Sequence, residues 1–105
     1  MNLTGKKLGL LVSTAPETPS FHHALGLAKA ALHDRLDVYF YCIDEGVKGV
    51  EDDRLQVLKS GGLKLFACAY GARKFGVDLS DAAIFSGLAA LDDLVCSTDR
   101  FLWFN

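Results

Sequence analysis

The sequence contains no C-x-x-C pair. Its three cysteines, Cys42, Cys68 and Cys96, are odd in number and widely spaced. This excludes a thioredoxin-type dithiol and argues against a zinc ribbon or a disulfide framework. Long hydrophobic runs are also missing. The first apolar stretch, Leu8 to Val12, is too short for a secretory segment and far too short to span a bilayer. Neither sign of charge dominates: 11 Lys and Arg stand against 13 Asp and Glu, for a formal net charge of -2. A basic footprint for nucleic acid is therefore absent, as is a polybasic signal for a membrane surface. No G-x-G-x-x-G follows the first strand, where STAPETPS stands instead, and neither a Walker-type loop nor a G-x-S-x-G elbow occurs. Nucleotide binding has no motif behind it, although a small flavodoxin-like domain keeps it as a third possibility. These absences set the expectation of a soluble cytoplasmic protein that acts on neither nucleic acid nor membrane.

What is present is a 105-residue chain, half apolar, of a size suited to one domain over residues 1–105. Strand and helix signals alternate. Lys7 to Ser13 is a continuous apolar run, as in a parallel strand covered on both faces. Thr18-Pro19 opens a helix, with Thr suited to the N-cap and Pro to the first turn. Phe21, Ala24, Leu25, Ala28 and Leu32 form its apolar stripe. Asp37 to Ile43, rich in aromatic and β-branched residues, reads as a second strand, followed by a loop over 44–49. Asp52 or Asp53 caps a second helix that ends at Gly61-Gly62. Leu63 to Cys68 is a third strand, Ala69 to Phe75 a short helix stopped by Gly76, and Ala82 to Phe85 a fourth strand. Ser86 to Ser97 is a helix with Leu88, Leu91, Leu94 and Val95 on one side, and Phe101 to Phe104 closes the chain as a fifth strand. Alternation of this kind predicts an α/β protein with a five-stranded mainly parallel sheet. The strongly apolar last strand and short helices leave surplus apolar surface, which an oligomer would cover.

In such sheets, chemistry gathers outside the carboxyl ends of the strands. Cys68 falls there, at or beside the N-cap of the short helix. Free N–H groups and the helix dipole favour a thiolate at that position, and Arg73 and Lys74 add positive potential. The plain alternative is a small apolar residue closing a strand. Cys42 lies inside a strand and reads as core, and Cys96 reads as structural. His22 and His23, in the first turn of the first helix, start from the same edge and could carry a proton. They could equally be polar residues at a helix start, and no metal-ligand spacing links them to His33. Tyr70 could bond a sulfur ligand or simply pack. Asp44 and Glu45 could form a carboxylate pair or a solvated loop.

Over nearly its whole length the chain resembles the DsrE/DsrF-like family, which includes the subunits of the DsrEFH and TusBCD sulfur-relay complexes. The resemblance rests on LGLLVSTAPETPSFHHALGLAKAAL, on VYFYCIDEGV, most sharply on LKSGGLKLFACAYGARKFGV, and on the closing G-L-A-A-L-x-D-L and R-F-L-W-F. It implies a parallel five-stranded sheet with helices on both faces, and a trimer, a hexamer or a hetero-oligomer. It also implies that Cys68, at the position of the family's sulfur-carrying cysteine, accepts and passes on sulfur as a persulfide. The expected partners are then other sulfur-carrier or sulfur-donor proteins, with no metal or organic cofactor. The competing expectation is a non-catalytic oligomeric module that binds a partner or small ligand and uses Cys68 structurally.

Overall fold

The computed structural model describes residues 2–105. Within them five strands, β1 (Lys7–Val12), β2 (Asp37–Cys42), β3 (Lys64–Cys68), β4 (Ile84–Ser86) and β5 (Arg100–Phe104), form one sheet in the order β4-β3-β2-β1-β5. Every neighbouring pair is parallel. Four helices connect them: α1 (Pro19–His33), α2 (Asp53–Ser60), α3 (Ala69–Lys74) and α4 (Leu88–Ser97). The architecture is thus the expected α/β sheet with flanking helices. Right-handed crossovers place α1, α2 and the segment entering β4 on one face, because β1 to β4 step in one direction. The return from β4 to β5 reverses direction and puts α4 on the other face, where it packs against β1.

Local chemistry accounts for the boundaries. Thr18 Oγ1 accepts the Phe21 N–H at 3.2 Å, and Pro19 occupies the first helical turn, where a missing N–H costs nothing. Asp52 caps α2 by accepting the Arg54 N–H at 2.9 Å. Gly76, at φ +71°, takes the left-handed conformation that stops the chain after α3.

The core lies mainly between the sheet and α1. Leu8, Leu10, Val12, Val38, Phe40, Cys42, Leu65 and Ala67 alternate onto that face and are buried. They meet Phe21, Ala24, Leu25, Ala28 and Ala31 of α1 and Leu55 of α2. Phe21 stands edge-on to Phe40 with centroids 6.0 Å apart.

Three local expectations are corrected. Residues 44–49 are a 3-10 helix, Asp44–Gly49, rather than an open loop. Asp44 turns the chain at φ +50°, and Gly46 presses onto the Val12 carbonyl so closely that a Cβ would strike it. The fourth strand begins at Ile84, not Ala82, because the Ala82 N–H bonds Ser80 Oγ and its carbonyl accepts from Gln56 Nε2. Ser86 belongs to that strand, paired with Cys68, and α4 starts two residues later with Gly87 as its N-cap. The two apolar stripes also shift. In α1, Ala31 is buried and Leu32 only partly so. In α4, Leu94 is buried and Leu91 half-buried, whereas Leu88 and Val95 are 62% and 48% exposed. A single helix on a five-stranded face contacts the sheet along only part of its surface.

Candidate functional site

Cys68 ends β3 and is the N-cap of α3. Its Sγ accepts the Gly71 N–H at 3.4 Å, so a main-chain donor fixes the sulfur and is available to its anionic form. Gly71 is itself buried, and a Cβ there would crowd Val47 Cγ1 at 3.2 Å. The 3-10 helix therefore packs directly against the start of α3.

A pocket of about 230 Å³ opens at this edge, walled by Ile43, Asp44, Cys68, Tyr70, Lys74 and Leu88 among others. Cys68 is 6% exposed at its floor, and Tyr70 is 69% exposed at its rim. The pocket is mostly apolar, with one carboxylate and one ammonium. Lys74 sits over the Phe75 ring, 5.4 Å from its centroid. Such a site can hold a sulfur anion against a main-chain donor while excluding most water. It can exchange sulfur with a thiol or persulfide that reaches in.

The structure sorts the residues singled out in the sequence. Cys68 and Tyr70 share the pocket, and so does Asp44. Glu45 points elsewhere and pairs with Lys48 at 2.9 Å, so the two acids are not a working pair. Of the two cations expected near the thiol, Lys74 lines the pocket, whereas Arg73 lines the neighbouring hollow with Ala69, Val77 and Leu79. His22 lies in a separate groove of about 350 Å³ between α1 and α2, with Lys29, Arg54 and Val57. His23 is exposed beside it, with ring centroids 6.2 Å apart. Within one chain neither histidine joins Cys68, because α1 packs across the face opposite α4.

Two residues near the sulfur carry no signal in the sequence. Strand alternation and register put Tyr41, Phe66, Cys68 and Ser86 on the α4 face. The Tyr41 ring stacks on Phe66 at 6.4 Å, and its hydroxyl donates to the carbonyls of Ser86 at 3.4 Å and Gly87 at 3.2 Å. It thereby ties the central strand to the turn that carries Leu88 into the pocket wall. Burial pushes the Tyr41 hydroxyl pKa up, the neighbouring Ser86 side chain partly offsets this, and negative charge on Cys68 or Cys42 adds to the rise. Nothing in the apolar run VYFYC that follows Asp37 says which of its residues face α4.

The other cysteines separate cleanly. Cys42 is fully enclosed, and burial pushes its thiol far above the ordinary range, so it stays protonated. Cys96 is exposed on α4, away from the strand ends.

Among the described residues, no helix is long and apolar enough to cross a membrane. No curated protein matches the chain. Among solved structures, the fold is similar to that of the ychN protein from E. coli, with a TM-score of 0.79 and 18% identity over 96% of this chain and 100% of that one. It is also similar to a conserved protein of unknown function from Bacteroides thetaiotaomicron, with a TM-score of 0.75 and 15% identity over 94% and 95% of the two chains. At such identities the likeness speaks for the fold. Family membership rests on the sequence itself, since the model of the DsrE/DsrF-like family matches residues 6–104, nearly the whole chain. With the parallel sheet and a cysteine capping the helix after its third strand, this chain belongs to the DsrE/DsrF-like family.

Proposed function

We propose that the protein is a sulfur carrier of a sulfur-relay system, with Cys68 as the residue that holds the transferred sulfur. The observation that carries this reading is the placement of Cys68 Sγ: at a strand's carboxyl end, bonded to the Gly71 N–H, on the floor of a pocket. The Cys68 thiolate attacks the outer sulfur of a donor persulfide, R–S–SH. An S–S bond forms at Cys68, the donor's own S–S bond breaks, and R–S⁻ leaves. The product is Cys68–S–SH, and an acceptor thiolate later removes the outer sulfur in the same way. Sulfane sulfur only changes hands, so no external oxidant enters. Rates in such exchange follow thiolate fraction, nucleophilicity and access. The donors and acceptors are other sulfur-carrier proteins.

The same reading includes assembly. Trp103, Leu11, Tyr41, Phe66 and Ile84 are register partners in one row across the α4 face. The row ends in Trp103, 63% exposed, and Ile84, 58% exposed. Apolar surface of this kind supports a homo-oligomer, a trimer or hexamer, or a mixed assembly.

A second reading is favoured by one observation, the 6% exposure of Cys68. A non-catalytic module that binds a partner or ligand would also keep this thiol covered. Intact-mass analysis after incubation with a persulfide donor separates the two. A gain of one sulfur in the wild type that is lost in Cys68→Ser supports the carrier. No gain, or an equal gain in Cys68→Ser, gives the binding module the lead.

A further inference from the structure

Two buried side-chain oxygens lack a hydrogen-bond partner among the described residues: Thr14 Oγ1 and Ser86 Oγ. A buried hydroxyl without a partner is costly, and proteins keep few of them. Thr14 follows β1, away from the sulfur. Ser86 is the register partner of Cys68 in the parallel pair β3–β4. Register partners project to the same face of a sheet, so the Ser86 side chain stands beside the Cys68 side chain, on the α4 side. The Tyr41 hydroxyl is its neighbour but gives its own proton to the main-chain carbonyls of Ser86 and Gly87, so it does not use the Ser86 oxygen as an acceptor. Gly71 bonds the sulfur from the α3 side, which leaves the β4 side of Cys68 to a second donor.

We infer that Ser86 is a positioning residue whose hydroxyl donates to anionic sulfur on Cys68, giving the sulfur a side-chain donor in addition to the Gly71 N–H. This deepens the sulfur-carrier reading and rests on it where the persulfide is concerned. The resting thiol leaves Ser86 Oγ unpaired. Loss of the thiol proton, or addition of an outer sulfur one S–S bond farther out, supplies the acceptor that the hydroxyl lacks. A hydrogen bond to an ionised acceptor is stronger than one to a neutral acceptor, so the hydroxyl favours the charged state in both cases.

The test uses full-length protein carrying Cys96→Ser, so that iodoacetamide reports Cys68. The titratable and charged side chains around Cys68 are Tyr41 and Cys42 from β2, Asp44 from the 3-10 helix, and Tyr70 and Lys74 from α3. Ser86→Ala removes none of these groups, and the only one whose own partner it takes away is Tyr41. The expected result is an alkylation–pH profile whose midpoint rises by about one unit in Ser86→Ala, so that labelling below the midpoint slows by up to about tenfold. Ser86→Thr, which keeps the hydroxyl, restores the profile, and the melting temperatures of Ser86→Ala and its parent agree closely. An unchanged profile in Ser86→Ala overturns the assignment, as does a shift that Ser86→Thr fails to reverse. Alkylation needs no sulfur donor, so the two readings fail separately. A shifted profile without sulfur loading keeps Ser86 in this role and removes the carrier. Normal loading with an unshifted profile does the reverse.

Discussion

The three cysteines share one side-chain chemistry and have three different environments. Cys68 has a donor at 3.4 Å and a pocket above it, Cys42 has neither water nor a donor, and Cys96 has water alone. Reaction of the native protein with a bulky thiol reagent should therefore label Cys96 first. Cys68 should follow at a rate set by access through the pocket, and Cys42 only on unfolding; peptide mapping over time checks the order. Cys42 also makes stability depend on pH. Its thiol pKa is raised on folding, so the stability this provides is fully present below the unfolded value, about pH 8.5. Above that the unfolded chain releases a proton that the folded chain keeps, and stability falls by up to about 1.4 kcal/mol per pH unit. Urea midpoints between neutral pH and about pH 10 should drop in the wild type and flatten in Cys42→Ala. The role of Cys68 as a strand-end cysteine was legible in the sequence. Its 6% exposure was not, because the residues that cover it come from the 3-10 helix, α3 and α4.

At the scale of elements, caps and glycines account for most of what the sequence revealed. Thr18-Pro19 marks the start of α1 correctly, and Gly76 marks the end of α3, because both act through local backbone chemistry. Thr18→Ala should cost about 1 kcal/mol, read from the shift in the denaturation midpoint, since the Phe21 N–H loses its acceptor. Gly46→Ala should be worse, by several kcal/mol. Its Cβ would meet the backbone carbonyl of Val12, which cannot turn aside, so the 3-10 helix must lift off the first strand. Because that helix also packs on Gly71, the same variant should speed alkylation of Cys68. The misplaced boundaries have a common cause. Ala82 and Ser86 are held by partners distant in sequence, Gln56 and Tyr41 for their carbonyls and Cys68 for strand pairing. No local pattern reports such bonds.

At the scale of the whole molecule, the sheet is covered unevenly. One face has α1 and α2 across it, and the residues that β1, β2 and β3 turn toward those helices are buried. The other has α4 alone, and its row of register partners ends in exposed Trp103 and Ile84. Replacing Ile84 with Glu should leave the melting temperature of the isolated chain nearly unchanged, because the side chain is 58% exposed. If this face carries the assembly, the variant should lower the mass measured by light scattering. An unchanged mass would move the interface elsewhere.

The order of strands and helices, the cap of α1, and Cys68 at the end of β3 were all determined by sequence alone, whereas the cap of α2 was narrowed only to Asp52 or Asp53. Each depends on hydrophobic period or on the chemistry of one or two adjacent residues. Tertiary structure decided which residues meet. His22 starts from the same sheet edge as Cys68 and ends in another groove, because the helix that carries it packs on the opposite face. Tyr41 and Ser86, 45 residues apart, come to flank the sulfur because parallel pairing aligns three strands at their carboxyl ends. Register and face are properties of the assembled sheet, and a strand that is apolar throughout does not encode them locally.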